Sequence, residues 1–169
     1  MSLDSPLPEI HDYIRGQSGS FFKTLKGISN LVKVGIRPQI IMTIMRCNYK
    51  DMLKMLDLAK KNNASSVKFN LVQPIARGEV LHKKGEFLDI EELIKLGEWV
   101  ETKLYSESNL RIYYSHPIAF RHFSNIFSKK SGGFLICKIF NILGVLSDGF
   151  YALCGIGRTI PELIFGDAK

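Results

Sequence analysis

Cys137 and Cys154 are two of only three cysteines in the chain, and the stretch they enclose, CKIFNILGVLSDGFYALC, reads as a β-hairpin. Asp148-Gly149 fits a two-residue type I′ turn, because glycine takes positive φ at little steric cost. Pairing Ser147 with Phe150 then sets Leu143 opposite Cys154 and leaves Cys137 a short run upstream of the hairpin base. Two thiolates brought to one end of a hairpin could bind a metal, whereas composition alone reads them as structural thiols. Cys47, after a long apolar run, reads as a buried structural thiol. His11, His82, His116 and His122 share no metal-ligand spacing and read as surface or satisfied core residues. The GIG at Gly155 lacks the strand, Lys and Ser/Thr context of a phosphate loop.

A second group of chemistry-bearing residues lies on the expected strands, whose side chains alternate between two faces. Ser2 and Asp4 share one face of the first short strand, with Leu3 on the other. Gln39, Ile41, Thr43 and Met45 oppose the apolar Ile40, Met42 and Ile44. Lys68, Asn70 and Val72 oppose Val67, Phe69 and Leu71. Leaving polar groups buried and unpaired costs roughly 1–3 kcal/mol each, so polar-seeded faces on neighbouring strands suggest a shared ligand cavity. The plainer alternative is that these groups pair with one another.

The elements that would position these residues follow from periodicity. SPLPEIHDYIRGQSGS reads as a turn-rich piece. A helix follows, capped by Ser18 or Ser20, with Phe21, Leu25, Ile28 and Val32 on one face and Gly35 ending it. PQIIMTIMR has the length and near-continuous apolarity of a strand covered on both faces. Asn48 then caps a helix with Met52, Met55, Leu56 and Ala59 inward. SSVKFNLVQP is the next strand, and IARGEVLHKKGEF a loop. Asp89 and Glu92 form a capping-box start for a helix whose Ile90, Leu93, Gly97, Val100 and Leu104 share a face. Further on, LRIYYSHP is a strand, IAFRHFSNIF a short helix, SKKSGG a break, and Pro161 opens a small helix after the hairpin. Repeated β/α order predicts parallel strands with right-handed crossovers.

The 169 residues, 46% of them hydrophobic, suffice for a real core. No apolar run reaches the roughly 20 residues of a membrane span, and the N-terminus has no basic-then-apolar leader pattern, so a cytoplasmic location is expected. Three scattered cysteines do not make a disulfide framework. The net charge of +7 invites a nucleic-acid reading. The lysines, however, are spread as solvated helix faces, and only RIYYSHPIAFRHF interleaves basic and aromatic residues.

SLDSP, HDYIRG, RPQIIMTIMRCN and VKFNLVQP, in that order, resemble the C-terminal half of the barrel of radical S-adenosylmethionine enzymes that modify peptides and proteins. Cys137, eleven residues, Gly149, four residues and Cys154 resemble the opening motif of the SPASM or twitch extension of those enzymes. The resemblance implies an α/β fold: a partial (β/α) barrel of about three β/α units over residues 1–105, then an incomplete SPASM-like α+β extension with a hairpin over 106–169. It implies that Ser2 holds the cofactor's amino-acid end, that Arg15 pairs with its carboxylate, and that Asp4 is the acid of the same strand. Thr43 and Asn70 match lumen positions, and Leu71 and Gln73 lie where the strand would pass the adenosine. Cys137 and Cys154 would ligate an auxiliary iron–sulfur cluster. The implied cofactors of the intact enzyme are S-adenosylmethionine and [4Fe-4S] clusters, and the implied partner is a peptide or protein substrate.

No Cys, three residues, Cys, two residues, Cys occurs in the chain. Such a motif binds the cluster that cleaves the cofactor, so the chain reads as a C-terminal piece that is itself inactive. Half a barrel exposes sheet edges, so self-association is also expected. A non-catalytic peptide- or partner-binding module is the competing reading, and a basic nucleic-acid-binding domain the third.

Overall fold

The computed structural model describes residues 1–75, 77–114, 118–121, 141–153 and 160–167. These fall into two compact units. The first holds the described residues of 1–72 and 85–121, and the second those of 73–84 and 141–167.

The first unit is built on a parallel sheet of β1 (Gln39–Ile44), β2 (Ser66–Leu71) and β3 (Arg111–Tyr114), in that order. Met1–Leu3 lies parallel alongside β1: Ser2 bridges Ile41, the Ile41 N–H donates to the Met1 carbonyl (2.8 Å), and the Leu3 N–H donates to the Ile41 carbonyl (2.9 Å). Strands adjacent in sequence are adjacent in the sheet, as the β/α order predicts.

Alternation along β1 is sharp, with Ile40, Met42 and Ile44 buried and Gln39, Ile41 and Thr43 half-exposed. Val67 and Phe69 continue the buried face on β2. They join one core with Leu3, Phe21 and Ile28 of α2 (Ser20–Lys33), and with Met52, Met55, Leu56 and Ala59 of α3 (Met52–Lys61). The α3 face is the one its periodicity predicts.

The turn-rich opening is instead a helix, α1 (Pro8–Arg15). Pro8 sits in its first turn, where the missing N–H costs nothing, and Gly16 ends it at φ 67°. Pro and Gly punctuate helix ends as well as loops, and here they bound two turns of helix. The expected serine caps of α2 give way to a cap from α1, because Gly19 stands at its N-terminus. Asp12 of α1 accepts hydrogen bonds from the Phe21 N–H (2.8 Å), the Ser20 hydroxyl (2.7 Å) and the Gly19 N–H.

In the second unit, the expected loop after β2 contains α4 (Arg77–Lys83). A Cβ on Gly78 would stand 1.8 Å from the Gln73 carbonyl oxygen, so this approach of backbone to backbone requires glycine. Back in the first unit, α5 (Ile90–Trp99) starts with the predicted capping box, the Asp89 carboxylate accepting from the Glu92 N–H and the Glu92 carboxylate from the Asp89 N–H. It continues through a π-helical turn, Val100–Leu104. Its inward residues are Leu96, Gly97, Val100 and Leu104, whereas Ile90 is 61% exposed.

The second unit also holds an antiparallel sheet, β4 (Gly144–Val145), β5 (Phe150–Ala152) and β6 (Ile164–Asp167). The hairpin forms, with a different loop. Val145 pairs with Tyr151, the Leu146 N–H donates to the Phe150 carbonyl (2.8 Å), and the Gly149 N–H donates to the Leu146 carbonyl (2.9 Å). The loop is therefore three residues, Ser147–Gly149, with Gly149 at φ 88°. An Asp-Gly pair serves this turn-plus-bulge as readily as a two-residue turn, but the register moves by one residue and every paired side chain changes face. Pro161 opens a single helical turn, and the strand after it, β6, has no forewarning in the sequence. Cys137, Cys154, His116 and His122 lie outside the described residues, as does most of the IAFRHFSNIF helix.

Phe69→Ala is expected to cost about 3–5 kcal/mol. Asp89→Ala is expected to cost about 1 kcal/mol, and Ile90→Ala no more than about 0.5 kcal/mol. Urea denaturation of the three variants checks the order; an Ile90→Ala loss matching that of Phe69→Ala would contradict the inward face assigned to α5.

Candidate functional site

The site lies at the C-terminal ends of the N-terminal segment, β1 and β2, and is organised by Asp4. This residue is 2% exposed. One carboxylate oxygen accepts the Thr43 N–H of β1 (3.0 Å), and the other forms an ion pair with the Arg15 guanidinium (2.6 Å). The backbone of Asp4 is held as well: its N–H donates to His11 Nδ1 (3.1 Å), and its carbonyl accepts from Asn48 Nδ2 (2.7 Å). Asn48 Nδ2 also donates to the Thr43 carbonyl (2.8 Å), and Asn48 Oδ1 accepts the Met45 N–H (2.8 Å). The side chain expected to cap a helix thus joins the first strand segment to the end of β1.

Arg15 is anchored on one side only. Its side chain is 33% exposed and is ion-paired with Asp4, which leaves further N–H donors of the fork for an incoming anion. Thr43 and Asn70 are paired in register on the same half-exposed face of the sheet, and among the described residues neither side chain is engaged in a hydrogen bond. Ser2 is exposed and bridges Ile41, two residues before Thr43 on β1. Asp4, Arg15 and Thr43 are therefore in one network, with Asn70 beside it and Ser2 on the neighbouring row. Leu71 is not brought in, since alternation turns it to the opposite face, where it packs on the core. Gln73 is exposed and belongs to the second unit, where its carbonyl accepts the Ile75 N–H (2.8 Å).

His11 is 1% exposed and meets Phe21 edge to face, their centroids 5.9 Å apart. Because Nδ1 accepts from Asp4, the neutral ring carries its proton on Nε2, and that nitrogen is buried without a partner among the described residues. Burial is the main cause holding its pKa below 6.5; Asp4 opposes the shift, Arg15 reinforces it and Asp12 opposes it. Cys47, half-buried, has its thiol pushed up to about 12 by burial and by the Glu86 carboxylate, so it stays protonated and unreactive. Among the described residues no three His, Cys, Asp or Glu side chains cluster as metal ligands, and no helix is long and apolar enough to cross a membrane.

His11, Asn48 and Asp12 are the functional supports that sequence reading misses. One signal was available for the first: once Pro8 and Gly16 bound a helix, His11 and Arg15 fall at i and i+4 on one face of it.

No family model matches the chain. Over 79 residues, 47% of the chain, it is 34% identical to an AdoMet-dependent heme synthase of Methanosarcina barkeri, covering 23% of that protein. It is 32% identical over 83 residues to the antilisterial bacteriocin subtilosin biosynthesis protein AlbA of Bacillus subtilis, covering 18% of it. The chain is homologous to radical S-adenosylmethionine enzymes. A heme synthase of Oleidesulfovibrio alaskensis matches across 59% of the chain at 26% identity, with 25% of that enzyme covered. The chain thus spans about a quarter or less of the curated radical S-adenosylmethionine relatives it matches. In fold it resembles Streptococcus suis SuiB. It matches SuiB bound to precursor peptide SuiA with TM-score 0.64 at 15% identity, covering 98% of the chain and 38% of SuiB. It matches SuiB bound to S-adenosylmethionine with TM-score 0.62 at 13% identity, covering 98% and 39%.

The His11 shift carries a pH signature. Its folded pKa lies below the unfolded 6.5, so on acidification the unfolded chain takes up this proton first. The associated stability is fully present above about pH 6.5 and is lost as pH falls through the folded pKa. Melting temperatures between pH 7.5 and 5 are expected to fall more for the wild type than for His11→Asn, which keeps an acceptor for the Asp4 N–H and does not titrate. Asp12, held below 3.8 chiefly by the Ser20 hydroxyl, acts at lower pH. Parallel pH curves for the two proteins would contradict the assignment.

Proposed function

We propose that the chain is the C-terminal portion of a radical S-adenosylmethionine enzyme acting on a peptide or protein substrate, with residues 1–105 forming part of a (β/α) barrel and 106–169 a SPASM-like extension. In this reading β3 adds a strand beyond residue 105 to the barrel sheet. The observation that carries the proposal is the Asp4–Arg15 pair at the strand ends, with an incompletely used guanidinium fork beside the free side chains of Thr43 and Asn70. A guanidinium held from one side by a buried carboxylate is preorganised for the carboxylate of an amino-acid-like ligand. The half-exposed polar face of the sheet gives the rest of such a ligand hydrogen-bonding room, and the opposite face is closed by the core.

When bound, S-adenosylmethionine supplies radical hydrogen-abstraction chemistry. The chain's own part is to bind and orient it: Arg15 takes the carboxylate, Ser2 the amino-acid end, and Thr43 and Asn70 the polar atoms that follow. Asp4 fixes Arg15, and His11 and Asn48 fix Asp4. Leu71 would act at the adenosine only through its backbone, since its side chain packs on the core, and Gln73 keeps the place by the adenosine that the resemblance implies. In the intact enzyme Cys137 and Cys154 would ligate the auxiliary cluster and a cysteine triplet outside these 169 residues the other. A cytoplasmic location and self-association through sheet edges belong to the same reading.

The 169-residue chain is expected to bind S-adenosylhomocysteine in calorimetric titration, and Arg15→Ala to weaken this by about tenfold, or roughly 1.4 kcal/mol. Equal affinity in the two proteins would overturn the role of Arg15. After anaerobic iron–sulfide reconstitution and reduction, the chain is expected to release no 5′-deoxyadenosine from S-adenosylmethionine; its detection by mass spectrometry would show the reading of the chain as an inactive portion to be wrong.

A further inference from the structure

The half-exposed face of the parallel sheet carries two cations that the cofactor reading does not use. Lys68 on β2 stands in register between Ile41 on β1 and Tyr113 on β3, and Arg111 pairs with Ser66, one step earlier on the same face. Most other arginines of this unit are engaged by oxygen. Arg15 meets Asp4, Arg37 the Asn63 and Ala64 carbonyls, Arg46 the Glu92 carboxylate, and Arg121 the Glu101 carboxylate. Among the described residues Arg111 has no such partner. Its guanidinium lies 5.6 Å from the centroid of the Tyr113 ring. Lys68 is half-buried, and among the described residues it too has neither a hydrogen bond nor an ion pair.

Two like charges diagonal to each other on adjacent strands repel, and burying half of a lysine beside Ile41 and Tyr113 weakens its hydration. Both costs are relieved by one anion placed between them. A guanidinium stacked on an aromatic ring keeps its N–H edge free, in the plane that suits a carboxylate. Lys68 lies two residues before Asn70, or about 7 Å along the strand. An anion held here would therefore sit beside the proposed cofactor site without overlapping Arg15.

We infer that Lys68, Arg111 and the Tyr113 ring form a recognition site for a carboxylate side chain of an acidic peptide. The inference rests on the reading of this sheet face as ligand-facing. An isolated pair of cations next to Ile41 suits one carboxylate. A nucleic-acid backbone needs a run of cations, and the lysines of α2 and α3 belong to helices packed on the other side of the sheet.

Fluorescence anisotropy with labelled acetyl-hexaglutamate amide tests it on the 169-residue chain without cofactor. The expected result is salt-sensitive binding, at least about tenfold weaker for Lys68→Met/Arg111→Met and unchanged for Lys26→Met/Lys60→Met, with matching circular dichroism and melting temperatures. The inference is overturned if hexaglutamate does not bind, if the Lys68/Arg111 double variant binds like wild type, if hexaglutamine binds equally, or if a twelve-nucleotide oligothymidylate binds more tightly. S-adenosylhomocysteine titration of the same samples separates the two claims. If the unsubstituted chain binds S-adenosylhomocysteine but not hexaglutamate, only this site is removed, whereas Arg15-independent nucleoside binding removes only the cofactor reading.

Discussion

A single carboxylate, that of Asp4, fixes the geometry on which the site depends. It is almost fully buried, so each of its oxygens must be satisfied, and the two partners come from different elements: the Thr43 N–H of β1 and the Arg15 guanidinium of α1. The same residue is held through its backbone by His11 and Asn48. Four separate pieces of chain are thereby registered at one point: the N-terminal segment, α1, the end of β1 and the turn after it. Removing one partner would leave a buried polar group unmatched, which is why such a network specifies one arrangement.

The electrostatics follow from that constraint. Burial disfavours the His11 cation, and the neutral ring is the form that accepts the Asp4 N–H. Its partnerless Nε2 is a cost the fold carries for placing the acceptor on Asp4. Asp12, one residue along α1, uses its carboxylate to start α2 instead of serving the site. Consecutive residues of one short helix thus support the ligand-facing network and the adjoining helix separately.

Much of this was legible in the sequence. Alternation along QIIMTI and SVKFNL separated the core face from the polar face, and the Asp89/Glu92 capping box marked its helix start. What escaped had local signals with two meanings. Pro8 and Gly16 bound a helix as well as a loop, Asp148-Gly149 serves a three-residue loop as well as a two-residue one, and Asn48 reads as a cap until its neighbours in space are known. Ile90 fits a helical stripe but falls on the first turn and is exposed. Leu71 lay on the apolar face by the same alternation that placed Asn70 on the other, so the backbone pattern already separated them.

The central claim is that the Asp4-anchored guanidinium of Arg15 receives the carboxylate end of S-adenosylmethionine on the polar face of the sheet. A crystal structure of the chain soaked with S-adenosylmethionine tests it most directly. The account predicts density for the cofactor with its carboxylate hydrogen-bonded to Arg15 while the Asp4–Arg15 pair persists. Cofactor bound elsewhere, with Arg15 contacting Asp4 alone, would contradict it.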